Sequence, residues 1–217
     1  MDIEQARFNM IEQQIRPWDV IDTRVLDLYQ TVPREAFVED QYQTLAFADI
    51  EIPIGHSQVM MSPKVEARML QALNVQPHES ILEIGTGSGF ITALLAKLGR
   101  QVTTIEYYED LARHASQRLQ LHQISNVDCL TGDIFGKLDV LNKYDVIAVT
   151  GSVPGDADLF CGHLLPGGRL FCITGNHPVM TAKLITCIDK NDFMRQDLFE
   201  TDLPPLISTK TIQEFSF

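Results

Sequence analysis

The chain has 217 residues, 45% of them hydrophobic and 21% charged, with a formal net charge of −12. That length suits one well-cored α/β domain and is short for two, and the acidic balance would repel a phosphate backbone, so no nucleic-acid partner is expected. No apolar run approaches the roughly 18 residues that cross a bilayer, and Met1-Asp2-Ile3-Glu4-Gln5 lacks the basic-then-apolar layout of a signal peptide, so the expectation is a cytoplasmic protein with no membrane partner.

The first third reads as helices and then a loop. Phe8, Ile11 and Ile15 share a helical face that stops at Pro17, beside Trp18, the only tryptophan, which reads as a packing residue. Asp22 can cap a second helix carrying Val25, Leu28, Tyr29 and Val32 at i, i+3, i+4 and i+7, ended by Pro33. The helical period is lost between Glu35 and Met61. Ser62 as N-cap and Pro63 at the first helical position restart it, with Val65, Met69, Ala72 and Leu73 on one face.

From residue 81 the pattern alternates strand and helix. Ile81 to Ile84 is a buried-strand run, three alternate glycines follow, and Ile91, Leu94, Leu95 and Leu98 recur at helical spacing. Gly85, Gly87 and Gly89 allow a tight turn and a close backbone approach to a ligand, with helix N–H groups facing it. Val102 to Ile105 is the next strand, closed by Glu106, 21 residues after Gly85, where a carboxylate can accept hydrogen bonds from both hydroxyls of a ribose. Further expected elements are a helix from Glu109 to Leu121, strands at Val127 to Leu130, Tyr144 to Thr150 and Arg169 to Thr174, a helix from Met180 to Ile188, and a strand from Met194 to Phe199. The order implies a doubly wound, mostly parallel sheet. One domain spans 1–217, with a helical cap and loop in 1–75 and the sheet in 76–217. Asn176-His177-Pro178 reads as a plain turn. Cys129, Cys161, Cys172 and Cys187 lack C-x-x-C pairing and sit in or beside apolar runs, which points to buried thiols and no metal site.

The form Glu83-x-Gly85-x-Gly87-x-Gly89, followed by Phe90, departs from G-x-G-x-x-G and resembles motif I of S-adenosylmethionine-dependent methyltransferases, which carry a Rossmann-like class I fold. Arg7-x-x-Met10-x-x-x-Gln14-Ile15, Asp22-x-Arg24-Val25-Leu26, Val32-Pro33-Arg34-Glu35-x-Phe37-Val38, Ile52-Pro53-Ile54-Gly55-x-x-Gln58 and Gly167-Gly168-Arg169-Leu170 extend the likeness from residue 7 to 175. Together they resemble the protein-L-isoaspartate O-methyltransferases, which methylate the α-carboxylate of isoaspartyl residues in ageing proteins.

The resemblance implies S-adenosyl-L-methionine as cofactor and isoaspartate-containing proteins or peptides as partners, and leaves the oligomeric state open. It places Glu83, Gly85, Thr86, Gly87, Ser88, Gly89, Glu106, Tyr107, Asp133, Ile134 and Thr150 at the cofactor, with capping of the following turn as the other reading for Asp133. Asp49, Ile54, Gly55, Gln58 and Val59 fall on the substrate loop, where Asp49 reads equally as a loop-solvating acid. The chain departs from the family where Q-T-I-S becomes Gln58-Val59-Met60-Met61: Met61 stands at the serine position, and Ser62, one residue on, is the remaining hydroxyl candidate besides its N-cap role. The family's V-T-A-A appears as Val149-Thr150-Gly151-Ser152. Rival readings are a methyltransferase with another acceptor, a non-catalytic cofactor-binding paralogue and, further off, an NAD-dependent oxidoreductase.

Overall fold

The computed structural model describes residues 2–136, 138, 141–155, 157–190 and 192–207. Helix α1 (Ile3–Met10) is capped by the Asp2 carboxylate and continues through a π-helical turn at Ile11–Ile15 into a 3-10 turn at Arg16–Trp18. The wider turn rotates the inward face: Arg7, Met10, Ile11 and Ile15 are buried, whereas Phe8, expected inside, is exposed. Helix α2 (Thr23–Thr31) starts at Asp22, whose side chain accepts the Arg24 N–H, and buries Val25, Leu28 and Tyr29. The aperiodic stretch forms 3-10 turns at Arg34–Phe37 and Asp40–Leu45, then a hairpin of β1 (Ile52–Gly55) and β2 (Gln58–Met60). Helix α3 (Pro63–Leu73) follows with Ser62 at its N-cap position, although the Ser62 hydroxyl makes no capping bond.

The remaining elements are β3 (Ser80–Ile84), α4 (Phe90–Leu98), β4 (Gln101–Glu106), α5 (Glu109–Leu121), β5 (Val127–Thr131), β6 (Tyr144–Val153), α6 (Asp158–Cys161), β7 (Leu164–Asn176), β8 (Val179–Asp189) and β9 (Asp192–Thr201). Among the described residues the sheet has seven strands in the order β5-β4-β3-β6-β7-β8-β9. The first five in that order pair parallel, while β8 and β9 join antiparallel. The chain leaves β3 toward β5 and returns to β6 on the other side of β3, which makes a switch point at the carboxyl ends of β3 and β6.

The helix expected at Met180 to Ile188 is strand β8. Met180 and Ala182 are buried, then Ile185 and Cys187, and the pairing with β9 slips by one residue between Ala182 and Lys183. The residue skipped is Leu198 on β9, so β8 itself alternates without a break: Met180 and Ala182 face the core under the cap helices and Ile185 and Cys187 the core on the other side, and a strand buried on both faces shows no simple alternation and mimics helical spacing. One face of the sheet packs against the cap helices, α3 and α4, with Phe90, Leu94, Met69 and Phe171 wholly buried. The other face buries Leu82, Ile84, Ile147 and Phe160.

Candidate functional site

The glycine loop sits at the switch point, and each glycine has its own reason. Gly85 has φ +97°, and a Cβ there would lie 2.6 Å from Thr150 Oγ1 on β6. Thr150 donates its hydroxyl toward the carbonyls of Ile84 and Gly85, which ties β6 to the loop. Gly87, φ +53°, lies beneath Ile54 Cδ1 of the hairpin, 3.1 Å from where its Cβ would be. Gly89, expected at the cofactor, instead meets Ala115 of α5 at 3.0 Å and serves helix packing.

Glu106 ends β4 as expected. Its Oε2 accepts the Gly87 N–H at 2.8 Å and its Oε1 accepts the Tyr108 N–H at 3.0 Å. A carboxylate has about four acceptor positions, so two hydrogen bonds leave room for ligand hydroxyls. The carboxylate borders a cavity of about 560 Å³ lined also by Gly85, Gly87, Tyr107, Tyr108, Leu111 and Ile134. Ile54, Gln58 and Val59 of the hairpin roof it. A second, smaller cavity of about 290 Å³ shares Val59, Gly85, Gly87 and Thr150 and adds Met60, Met61, Thr86, Ser88 and Glu66. The positive-φ glycines, the free acceptor positions of Glu106 and the apolar walls fit a nucleoside carrying a short chain.

Not every expected site residue lines the cavities. Glu83 lines neither cavity; it is wholly buried beneath the loop, where Oε2 accepts the hydroxyls of Thr92 and Thr104 while Oε1 has no partner. Burial pushes its carboxyl up to about 8, against the two hydroxyl bonds. Thr86 joins this network through Thr104 at 2.6 Å, so Glu83 supports the loop from behind. Asp133 caps the turn after β5, accepting the Phe135 N–H at 2.9 Å. Asp49 pairs with Lys64 at 2.7 Å and Gly55 turns the hairpin at φ +98°; neither lines the two cavities. Ser62 lines neither cavity, whereas Met61 lines the smaller one. Trp18 packs edge-on against Phe199 with Lys64 over its ring.

Further contributors went unforeseen. Leu206 and Ile207 close one side of the larger cavity. Their segment is held by Ser152, whose N–H donates to Pro204 O at 3.0 Å and whose hydroxyl donates to Leu203 O at 2.7 Å, while Gly151 leaves space for Leu206. The altered Gly151-Ser152 pair was the available signal. His56 stacks on Tyr108 with ring centroids 3.9 Å apart and bonds Asp110 at 2.9 Å, clasping the hairpin tip to α5. Arg34 is wholly buried, paired with Glu66, which gives Val32-Pro33-Arg34-Glu35 a structural reason: Glu35 also pairs with Arg7, at 2.7 Å.

A parallel-centred sheet with this loop at its switch point and an acid closing the next strand defines a Rossmann-like nucleotide-cofactor fold. Solved structures share the fold. A Plasmodium falciparum protein described as a protein-L-isoaspartate O-methyltransferase in complex with S-adenosyl-L-homocysteine superposes with TM-score 0.78 at 20% identity, covering 95% of this chain and 99% of that one. In sequence, the protein-L-isoaspartate O-methyltransferase of Koribacter versatilis is 35% identical over 204 residues, 94% of this chain and 91% of that protein. That of Syntrophotalea carbinolica is 34% identical over 208 residues, 95% of each. The profile of the protein-L-isoaspartate(D-aspartate) O-methyltransferase family matches residues 5–209, and the chain belongs to that family.

Proposed function

We propose that the larger cavity holds S-adenosyl-L-methionine and that the chain methylates the α-carboxylate of isoaspartyl residues in proteins, a repair reaction. Family membership supports both the cofactor and the acceptor. The single observation that carries the cofactor reading is the Glu106 carboxylate, fixed by two backbone N–H groups against the positive-φ glycine loop. When bound, the cofactor supplies a methyl group on a sulfonium leaving group.

The chain's own work is modest. Glu106 holds ribose hydroxyls, and Tyr107, Leu111 and Ile134 beside it offer apolar walls for adenine. Gly85 and Gly87 admit the amino-acid end without a Cβ in the way. The acceptor carboxylate has a reference pKa of about 4, so it arrives ionised and no general base is needed. What remains is orientation and removal of water, which the roof of Ile54, Val59 and Met61 provides. Four free cysteines among the described residues and the net charge of −12 support a cytoplasmic setting and proteins, not nucleic acid, as partners. No helix among the described residues is long and apolar enough to cross a membrane.

The apolar lining at Val59, Met60 and Met61 favours a second reading, a different and less polar acceptor. Transfer of a labelled methyl group to an isoaspartyl peptide, beside the same peptide with ordinary aspartate, separates the two. Base-labile label on the isoaspartyl peptide alone is the expected result. No label, with the cofactor shown to bind, would retire the repair reading.

A further inference from the structure

Arg34 opens the 3-10 turn after Pro33 and is among the largest fully buried side chains. Its Nε donates to Glu66 Oε2 at 3.2 Å and its Nη2 to Glu66 Oε1 at 3.1 Å. The same guanidinium donates to Ala46 O at 2.7 Å and to Met61 O at 2.6 Å, and lies over the Phe90 ring, 5.4 Å from its centroid. Glu66 is wholly buried in the first turn of α3, and the Tyr29 hydroxyl donates to its Oε2 at 3.4 Å. One planar group therefore joins α3, the loop before the hairpin, the segment after β2 and the first residue of α4.

Stability alone does not call for this arrangement, because well-packed apolar residues replace buried ion pairs at little or no cost. What a guanidinium does that neither an apolar side chain nor a lysine can is fix two carbonyls and a carboxylate in one plane. The Met61 carbonyl belongs to the wall of Val59, Met60 and Met61 that faces Gly85, Gly87 and Thr150 across the smaller cavity. We propose that Arg34 is a positioning residue for methyl transfer: by holding the Met61 carbonyl against Glu66, it sets the distance between that wall and the glycine loop, and so the seat of the acceptor carboxylate.

The inference rests on the reading of the two cavities given above, and its test separates the two. Arg34→Lys keeps the charge but loses the fork. Its dissociation constant for S-adenosylmethionine, measured by calorimetry, stays within about twofold of wild type, while KM for the isoaspartyl peptide rises about tenfold or more. Cofactor affinity and acceptor KM that worsen together, in step with a lowered Tm, would reduce Arg34 to a structural residue, and an unchanged KM would overturn the inference too. If the wild type methylates no isoaspartyl peptide, the functional reading fails and hydrogen exchange decides the inference. In the cofactor complex, the amides of residues 59–62 should then exchange about tenfold faster in Arg34→Lys, with β3 and β4 unchanged. Equal exchange refutes it.

Discussion

The floor and the roof of the cofactor cavity are built in opposite ways. The floor is short-range: Gly85, Gly87 and Glu106 sit on one strand-loop-helix-strand unit, and Thr150 on the adjoining strand completes it. The roof is long-range, assembled from the β1–β2 hairpin, the buried Arg34 and the segment at Leu206, which are distant in sequence. Backbone geometry dictates the floor, so its residue types are nearly obligatory. Side-chain packing dictates the roof, so its residues can change together, as Val59, Met61 and Gly151 have.

The sharpest way to break this contrast is Gly85→Ala. The added Cβ falls 2.6 Å from Thr150 Oγ1 on a backbone at φ +97°, a conformation that costs a non-glycine residue about 1–3 kcal/mol before the clash. Cofactor affinity by calorimetry should drop about 100-fold or more. A well-folded variant with wild-type affinity would mean that the loop does not need its glycine.

A second effect concerns the support behind the floor. Glu83 is held up to about 8 by burial, against an ordinary 4.5. Between those values the folded chain keeps a proton that the unfolded chain has released, so stability declines as pH rises from 4.5 and levels off above about 8. In urea denaturation, wild type should lose about 3 kcal/mol relative to Glu83→Gln between about pH 5 and about pH 8. Parallel curves for the two proteins would place the carboxyl in a less enclosed site than the structure gives it.

The contrast also governs what the sequence revealed. Helix α5 falls at Glu109–Leu121 as expected, and Glu106 closes β4, because strand period, glycine spacing and an acid at the strand end are local signals. Glu83 and Gly89 were assigned to the ligand because motif spacing does not say which way a side chain points; the structure turns one under the loop and the other against Ala115. Strand β8 was misread as a helix because it buries Met180 and Ala182 on one face of the sheet and Ile185 and Cys187 on the other, which hides its alternation in the sequence. Arg34, Leu206 and His56 carried no local signal, since each acts on a partner far along the chain.

A smaller effect tests whether the tail segment belongs to the roof. Leu206 Cδ2 lies 2.8 Å from where a Cβ on Gly151 would be and 3.5 Å from that of Gly85. Leu206→Ala removes about 1–2 kcal/mol of apolar cover, so cofactor affinity should fall about tenfold with the Gly85 geometry intact. Unchanged affinity would assign the cavity to the hairpin alone.

The smallest effect expected is at the clasp, and it separates rate from equilibrium. His56 and Ser57 turn the hairpin at φ +52° and +57°, which brings the His56 ring onto Tyr108 and its Nε2 to both oxygens of Asp110, at 3.0 and 2.9 Å. Both partners are part-exposed, so their contact contributes little to folding, and the aromatic stack adds about 0.5–1.5 kcal/mol. Because Tyr108 lines the cavity that the hairpin roofs, that energy bears on how often the roof lifts. His56→Ala should therefore speed release of a fluorescent cofactor analogue about threefold to tenfold in stopped flow, with Tm nearly unchanged. Release at the wild-type rate would show that the roof is held by Ile54 on Gly87 and by Arg34, making the long-range side as firmly fixed as the floor.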